Sequence, residues 1–181
     1  MSGTVSWAGL AEAQPRLAER GEKMLGEPGV VLVATVRKDG SPRVSAVEPL
    51  FWEGELWLAM LFGSYKARDL LRDPRILVHS IVTSRSGAAG EFKLRGRAGP
   101  EHDQDLQGRF AAKVADELGW RPVVGQFHLF RVEIEDVTFM RYDEPTGDQY
   151  TTRWPEGTEF VRRGTGATSL GPREPMSELL V

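Results

Sequence analysis

Val30-Val31-Leu32-Val33-Ala34-Thr35-Val36, followed by Arg37-Lys38-Asp39-Gly40, is the stretch from which the fold can be read. The first part is wholly apolar or β-branched, with no polar alternation. It reads as a strand covered on both faces. Lys38-Asp39-Gly40 reads as a hairpin turn, because glycine takes the positive φ such turns require. The chain then runs back as a second strand from about Arg43 to Trp52. Glu53-Gly54 makes the next turn, and Glu55 to Met60 is a third strand. Three strands joined by tight turns predict an antiparallel meander.

Upstream, Pro15 to Leu25 predicts a helix. Pro15 suits a first helical turn, where its missing N–H is not needed. Leu17, Gly21, Met24 and Leu25 share one face, and Gly26 with Pro28-Gly29 stops the element. Downstream, a short helix covers about Ser64 to Arg72 and ends at Asp73-Pro74, since the residue before proline avoids helical φ/ψ. Ile76 to Val82 is a fourth strand, followed by a small-residue loop, Thr83 to Gly90. Glu91 to Ala98 alternates apolar and charged residues, as a strand with one solvent face does. Leu106, Phe110, Val114 and Leu118 fall at four-residue steps on a helix from about Asp103 to Leu118. Phe127 to Glu135 and Val137 to Tyr142 read as two paired strands, with a shorter one near Gln149 to Trp154. Residues 164–181 carry Gly-Thr-Gly-Ala-Thr-Ser and two prolines, which reads as a flexible tail beyond a single domain of residues 1–163.

These elements predict a mainly β fold with α. The expected form is a split β-barrel of six or seven antiparallel strands with two or three flanking helices. Several strands are apolar on both faces, and the helices are too few to cover them. A second subunit is the economical cover, so a homodimer is expected.

The 181 residues carry a net charge of −3 and 40% hydrophobic residues, so one domain can bury a sizeable core. Acids and bases are interspersed, which argues against nucleic acid or a polybasic membrane surface as partner. The chain has no cysteine, which removes disulfides, thiol catalysis and thiolate metal sites. No apolar run approaches the ~20 residues of a membrane span, and the start shows no signal peptide. A cytoplasmic protein is expected. His79, His102 and His128 lack metal-ligand spacing. His79, inside an apolar strand, reads as a satisfied core histidine. No G-x-S-x-G elbow, P-loop or G-x-G-x-x-G is present.

Chemistry concentrates at Gly63-Ser64-Tyr65-Lys66-Ala67-Arg68, where a strand passes into a helix start. Helix N-termini offer free N–H groups and partial positive charge, so they attract phosphate. Ser64 can donate a hydroxyl hydrogen bond and Lys66 adds a full charge. A plain Ser N-cap with solvated cations is the other reading, and spacing does not choose between the two. Arg43-Val44-Ser45-Ala46 begins a strand after a turn, so Arg43 can point back toward the same anion. Ser45 and Ala46 are small enough for a flat ring to approach the backbone. Lys93, Arg95 and Arg97 share one strand face, more simply a solvated face paired with acids than a polyanion site. Trp154 reads as packing, or as the flank of a ring ligand.

In this order the features resemble the pyridoxamine 5′-phosphate oxidase-like split barrels, which bind flavin or deazaflavin. The resemblance spans residues 25–160. It rests on Gly40-Ser41-Pro42-Arg43-Val44-Ser45, Leu56-Trp57-Leu58-Ala59-Met60, Ser64 through Arg75, Phe127-His128-Leu129-Phe130-Arg131-Val132 and Arg153-Trp154-Pro155. It implies a dimer with two cofactor sites at the subunit interface. Arg43 and Lys66 would hold the cofactor phosphate, aided by Ser64 and Tyr65. Val44, Ser45 and Ala46 would pass beside the isoalloxazine, Met60 would touch it, and Trp154 would approach from the partner chain. Two departures stand out. Glu48 occupies the place of an oxidase lysine that holds the substrate phosphate, and a carboxylate there repels phosphate. The Arg-Leu-His-Asp-Arg-like substrate motif is replaced by Thr158 through Gly164. The expectation is therefore an FMN-binding oxidoreductase that transfers hydride to or from a small organic substrate other than pyridoxamine phosphate. Alternatives are a deazaflavin (F-420)-dependent reductase and a non-catalytic flavin carrier or sensor. A barrel module binding protein or single-stranded nucleic acid is a further class, opposed by the acids that bracket Phe51, Trp52 and Trp57. No residue is compelled to act as general acid or base, with Tyr65 and His79 the candidate proton donors.

Overall fold

The computed structural model describes residues 3–176. In chain order the elements are α1 (Trp7–Ala13), α2 (Pro15–Gly26), β1 (Val31–Val36), β2 (Pro42–Val47), β3 (Pro49–Trp52), β4 (Glu55–Leu61) and α3 (Tyr65–Arg72). They continue with β5 (Arg75–His79), β6 (Glu91–Glu101), α4 (Gln104–Leu118), β7 (Phe127–Tyr142), β8 (Gln149–Trp154), β9 (Thr158–Gly166) and β10 (Ser169–Pro175). All strand pairs are antiparallel.

The sheet runs β10-β9-β8-β7-β6-β5-β1-β2, with the β3–β4 hairpin joined to it through β4 and β7. The long strand β7 creates the split. One edge pairs with β6 from Leu129 to Met140. The other edge pairs with β4 over Phe127–Arg131 and with β8 over Val137–Tyr142. The hydrogen-bonded path stays open, and this is a mainly β split-barrel fold.

The inner faces of β1, β4, β5, β6 and β7 bury the main core, including Val31, Val33, Leu58, Val78, Phe92, Leu94, Phe130 and Phe139. Leu17 and Leu25 of α2 close one side of it. Gly21 belongs to that face because a Cβ there would meet the Phe92 ring at 2.4 Å. A second cluster forms outside the sheet, where Phe110 and Val114 of α4 pack on Trp57, Phe127 and Leu129. Asp103 caps α4 by accepting from the N–H groups of Asp105 and Leu106 at 2.9 and 3.3 Å. The Leu118 side chain, expected on the same face, lies outside the described residues.

Several sequence expectations are corrected. The strand expected from Arg43 to Trp52 breaks at Glu48. Pro49 has no N–H for a continuing ladder, so β2 stays with β1 while β3 pairs with β4. The meander is therefore two separate hairpins. The two strands expected over Phe127–Tyr142 are one. Arg95 faces Asp136 and Gly96 faces Ile134, so Glu135 is an extra residue in a bulge rather than a turn. The fourth strand stops at His79 because the Ser80 hydroxyl accepts the Phe92 N–H at 2.9 Å. The helix α1 was not foreseen. It is held by the Ser6 cap and by buried Trp7 and Leu10. Residues 164–175, expected as a flexible tail, form the end of β9, a turn and β10. Asp148, almost fully buried, accepts the Gly164 N–H at 2.9 Å and binds Arg163 at 2.7 Å, which anchors the β9–β10 hairpin. Residues 177–181 of that expected tail lie outside the described residues. The described residues thus hold ten strands and four helices, more of each than expected.

Candidate functional site

The corner between β4 and α3 is built from Leu61 to Lys66. Gly63 adopts φ +68°, which turns the chain into the helix. Its N–H donates to His128 Nε2 at 3.2 Å, and the Phe62 ring stacks on that imidazole with centroids 4.9 Å apart. β7 therefore holds the corner through His128. Burial, with the charge of His102 second, pushes the His128 pKa down from its ordinary value. That favours the neutral ring that can accept from Gly63.

Ser64 occupies the N-cap position of α3 with extended backbone but makes no cap bond. Its hydroxyl oxygen is buried and has no partner among the described residues. The first-turn N–H groups of α3 have no intrahelical acceptors. The corner thus presents donors awaiting an acceptor.

Each helical residue is turned about 100° from the last, so neighbours on α3 face different ways. Tyr65, Arg68, Asp69 and Arg72 line one shallow cleft of about 580 Å³, together with Arg37, Lys38 and Arg43. Asp69, almost fully buried, organises its floor. It accepts from Arg43 Nε at 2.7 Å, Thr35 Oγ1 at 3.0 Å and Arg72 Nη2 at 3.2 Å. Burial pushes the Asp69 carboxyl up, but the hydrogen bonds from Arg43, Thr35 and Arg72 and the Arg43 charge outweigh it and hold it below its usual range. Arg43 also lies over the exposed Tyr65 ring, 5.2 Å from its centroid.

Lys66 faces a second cleft of about 530 Å³. Its walls are Ala46, Val47 and Glu48 of the β2 end, Ala59, Met60 and Leu61 of β4, and Trp120, Arg121 and Val123 from the loop after α4. A smaller cleft of about 270 Å³ lies between α2 and the loop of residues 81–90 and has no α3 residue in its lining.

The structure therefore brings Ala46, Met60 and Lys66 into one cleft and places Arg43 and Tyr65 in the next, with Ser64 at the corner between them. Arg43 and Lys66, expected to share one anion, line separate clefts that meet at the first turn of α3. Val44 is 62% exposed on the outer side of β2, and Ser45 is half-buried beside it. Trp154, expected to approach from a partner chain, packs in the main core of its own chain and is 9% exposed. His79 is corrected. It is half-buried on the outer face, with Nδ1 2.6 Å from the Ser80 carbonyl and Nε2 3.2 Å from Glu91. Alternation on β5 turns Ile76 and Val78 inward and His79 out. The stripe Lys93 and Arg95 is paired with Glu91, Glu135 and Asp136, as a solvated face should be.

Sequence reasoning missed Asp69, His128, Trp120 and Arg121. Asp69 had a signal, since it stands one helical turn after Tyr65. The others had none, because the distance between β7 or the 120–126 loop and α3 is set by the sheet alone.

The chain matches the pyridoxamine 5′-phosphate oxidase family over residues 17–141. Among solved structures it is similar to an F420 reductase at 24% identity, covering 64% of this chain and 94% of that one, with a TM-score of 0.51. It is similar to a NimC/NimA family protein from Clostridium acetobutylicum at 16% identity, covering 80% and 97%, TM-score 0.61. It is also similar to the heme storage protein HutZ from Vibrio cholerae at 20% identity, covering 68% and 90%, TM-score 0.53. At these identities the likeness is one of fold. No curated protein matches the chain. The family match covers more than two thirds of the sequence, and its span contains β1 through β6, α3 and nearly all of β7. The chain belongs to the pyridoxamine 5′-phosphate oxidase family.

Proposed function

We propose that the protein is a homodimeric FMN-binding oxidoreductase acting on a small organic substrate other than pyridoxamine phosphate. The observation that carries this reading is the corner before α3. It combines a buried, unpartnered Ser64 hydroxyl, free first-turn N–H groups and a cation on either side, Arg43 and Lys66. Those donors suit a phosphate. Asp69 fixes Arg43 in place, which lowers the ordering cost of gripping an anion. Beside the corner, β2 ends the sheet and carries only small or short side chains from Val44 to Ala46. A flat ring can lie close to that backbone, where Met60 lines the cleft from the edge of the main core. When bound, a flavin or deazaflavin supplies hydride transfer through its ring. The chain's own residues would bind the phosphate, orient the ring and limit water around it.

Arg37, Lys38 and Arg68 support a second reading. They line the Arg43 cleft and have no ion-pair partner among the described residues. That is more positive charge than one phosphate needs, and it suits the longer acidic tail of F-420. A carrier that binds either ring without turnover would share the same site.

Titration of purified protein with FMN and with F-420, read by cofactor absorbance and fluorescence, tests all three. Lys66→Glu is expected to weaken binding of the preferred cofactor by at least about tenfold, since it puts a negative charge beside the phosphate. Lys113→Gln, which only removes a surface pair with Glu117, leaves binding within twofold. No response to either cofactor rejects the proposal. Binding without turnover by any reductant and acceptor pair selects the carrier.

A further inference from the structure

The cleft that holds Lys66 has a far wall that cofactor binding does not account for. Trp120 is 46% exposed, stands in the loop between α4 and β7, and lines the same cleft as Ala46 and Met60. Val123 beside it is 59% exposed. Exposed apolar groups facing a concave space, rather than scattered over a convex surface, mark a binding wall. Besides Lys66, two charged side chains share the cleft, Glu48 and Arg121. They form no ion pair with each other, nor with any other described residue.

We infer that Trp120, Glu48 and Arg121 form the substrate wall of this cleft, which takes a flat aromatic or quinoid compound bearing a hydrogen-bond donor and an acceptor. This rests on the cofactor ring lying against β2 and β4. The cleft then has two sides, the ring on one and Trp120 on the other, and a planar compound fits between two planar surfaces. Once Lys66 serves the cofactor phosphate, the remaining charges are one carboxylate and one guanidinium. Their opposite signs cancel at a distance, so net charge does not select the ligand. Glu48 accepts from a donor edge and Arg121 donates to an acceptor edge. A dianionic phosphate gains from Arg121 but is repelled by Glu48, and a cation meets the reverse.

The experiment uses full-length protein saturated with whichever of FMN or F-420 it binds. Three probes share one ring and differ in charge: 1-naphthol, 1-naphthylmethylamine and 1-naphthyl phosphate. Binding is measured by calorimetry, and cofactor retention by absorbance. Trp120→Ala is expected to weaken all three probes by about fivefold or more, and Trp120→Phe to restore most of that, since stacking is worth ~1 kcal/mol. Glu48→Gln should strengthen the phosphate and weaken the amine, whereas Arg121→Gln should do the opposite. None of these variants should change cofactor affinity more than twofold. Probe affinities unchanged in Trp120→Ala, or charge variants shifting the same way, would overturn the inference. Cofactor loss of tenfold in these variants would also overturn it, by making the wall part of the cofactor site. If the wild-type protein binds neither cofactor, the reading under Proposed function falls first, and the substrate wall with it.

Discussion

At His128 one proton decides whether the corner before α3 is held. The Gly63 N–H donates to Nε2, so that nitrogen must be unprotonated. Burial first, and the charge of His102 second, keep the imidazole pKa below the ordinary 6.5. The folded protein therefore takes up this proton less readily than the unfolded chain. The stability it contributes is complete above pH 6.5 and is lost as pH falls through the lower folded value. Urea melts from pH 8 down to pH 5 should show that acid-side loss. In His128→Gln, whose side-chain carbonyl can still accept from Gly63, the loss should be smaller. An identical pH profile in the two proteins would remove His128 from this role. Cofactor affinity should fall over the same pH range, because Ser64 and Lys66 follow directly after the turn.

At the scale of an element, α4 matters through a few aromatic contacts. Phe110 lies 6.0 to 6.4 Å, centroid to centroid, from Phe127, Trp52 and Trp57. Phe110 and Val114 attach the helix to the outer side of β4 and β7, apart from the main core. Phe110→Ala is expected to cost about 3–5 kcal/mol, the usual range for emptying a buried aromatic site. Amide exchange should show where the cost falls. The α4 protons should lose protection while those of β5 and β6 keep theirs, because the second cluster is separate from the first. Equal loss across both would mean that the clusters act as one. The loop carrying Trp120 and Arg121 hangs from the end of α4, so loosening this helix should also weaken ligands of the Lys66 cleft.

For the whole molecule, the outer face of β1 and β2 is unusually bare. Val44 is 62% exposed and Leu32 37%, and cross-strand pairing puts them on one surface with Ala34 and Ala46. Water against such a face is unfavourable, at roughly 25 cal/mol per Å² of apolar area. A second copy of the chain is the proposed cover. Analytical ultracentrifugation should find twice the chain mass for the wild type. Val44→Asp should shift the equilibrium toward the single chain without lowering its helix and strand content. A wild-type protein that sediments as one chain at tens of micromolar would reject the dimer. No described helix is long and apolar enough to cross a membrane.

The sequence alone determined the strand and helix types wherever pattern is local. Alternation marked β6, four-residue spacing marked α4, and glycine turns marked the β1–β2 and β3–β4 hairpins. It also singled out the segment from Gly63 to Arg68, because the passage from a strand into a helix start is written in consecutive residues. Breaks and continuities between strands were beyond it. Whether Glu48-Pro49 divides a strand, or Glu135 merely bulges one, depends on which neighbour each backbone group finds. The last hairpin escaped notice because Asp148 anchors it across the chain, and composition carries no trace of such a bond. Tertiary structure alone decided that Arg43 and Lys66 lie in separate clefts, since Arg43 stands on β2, where pairing with β1 and the bond to Asp69 set its direction. It alone placed Trp120 in one cleft with Met60, because long-range sheet pairing, not local preference, sets the distance between segments sixty residues apart.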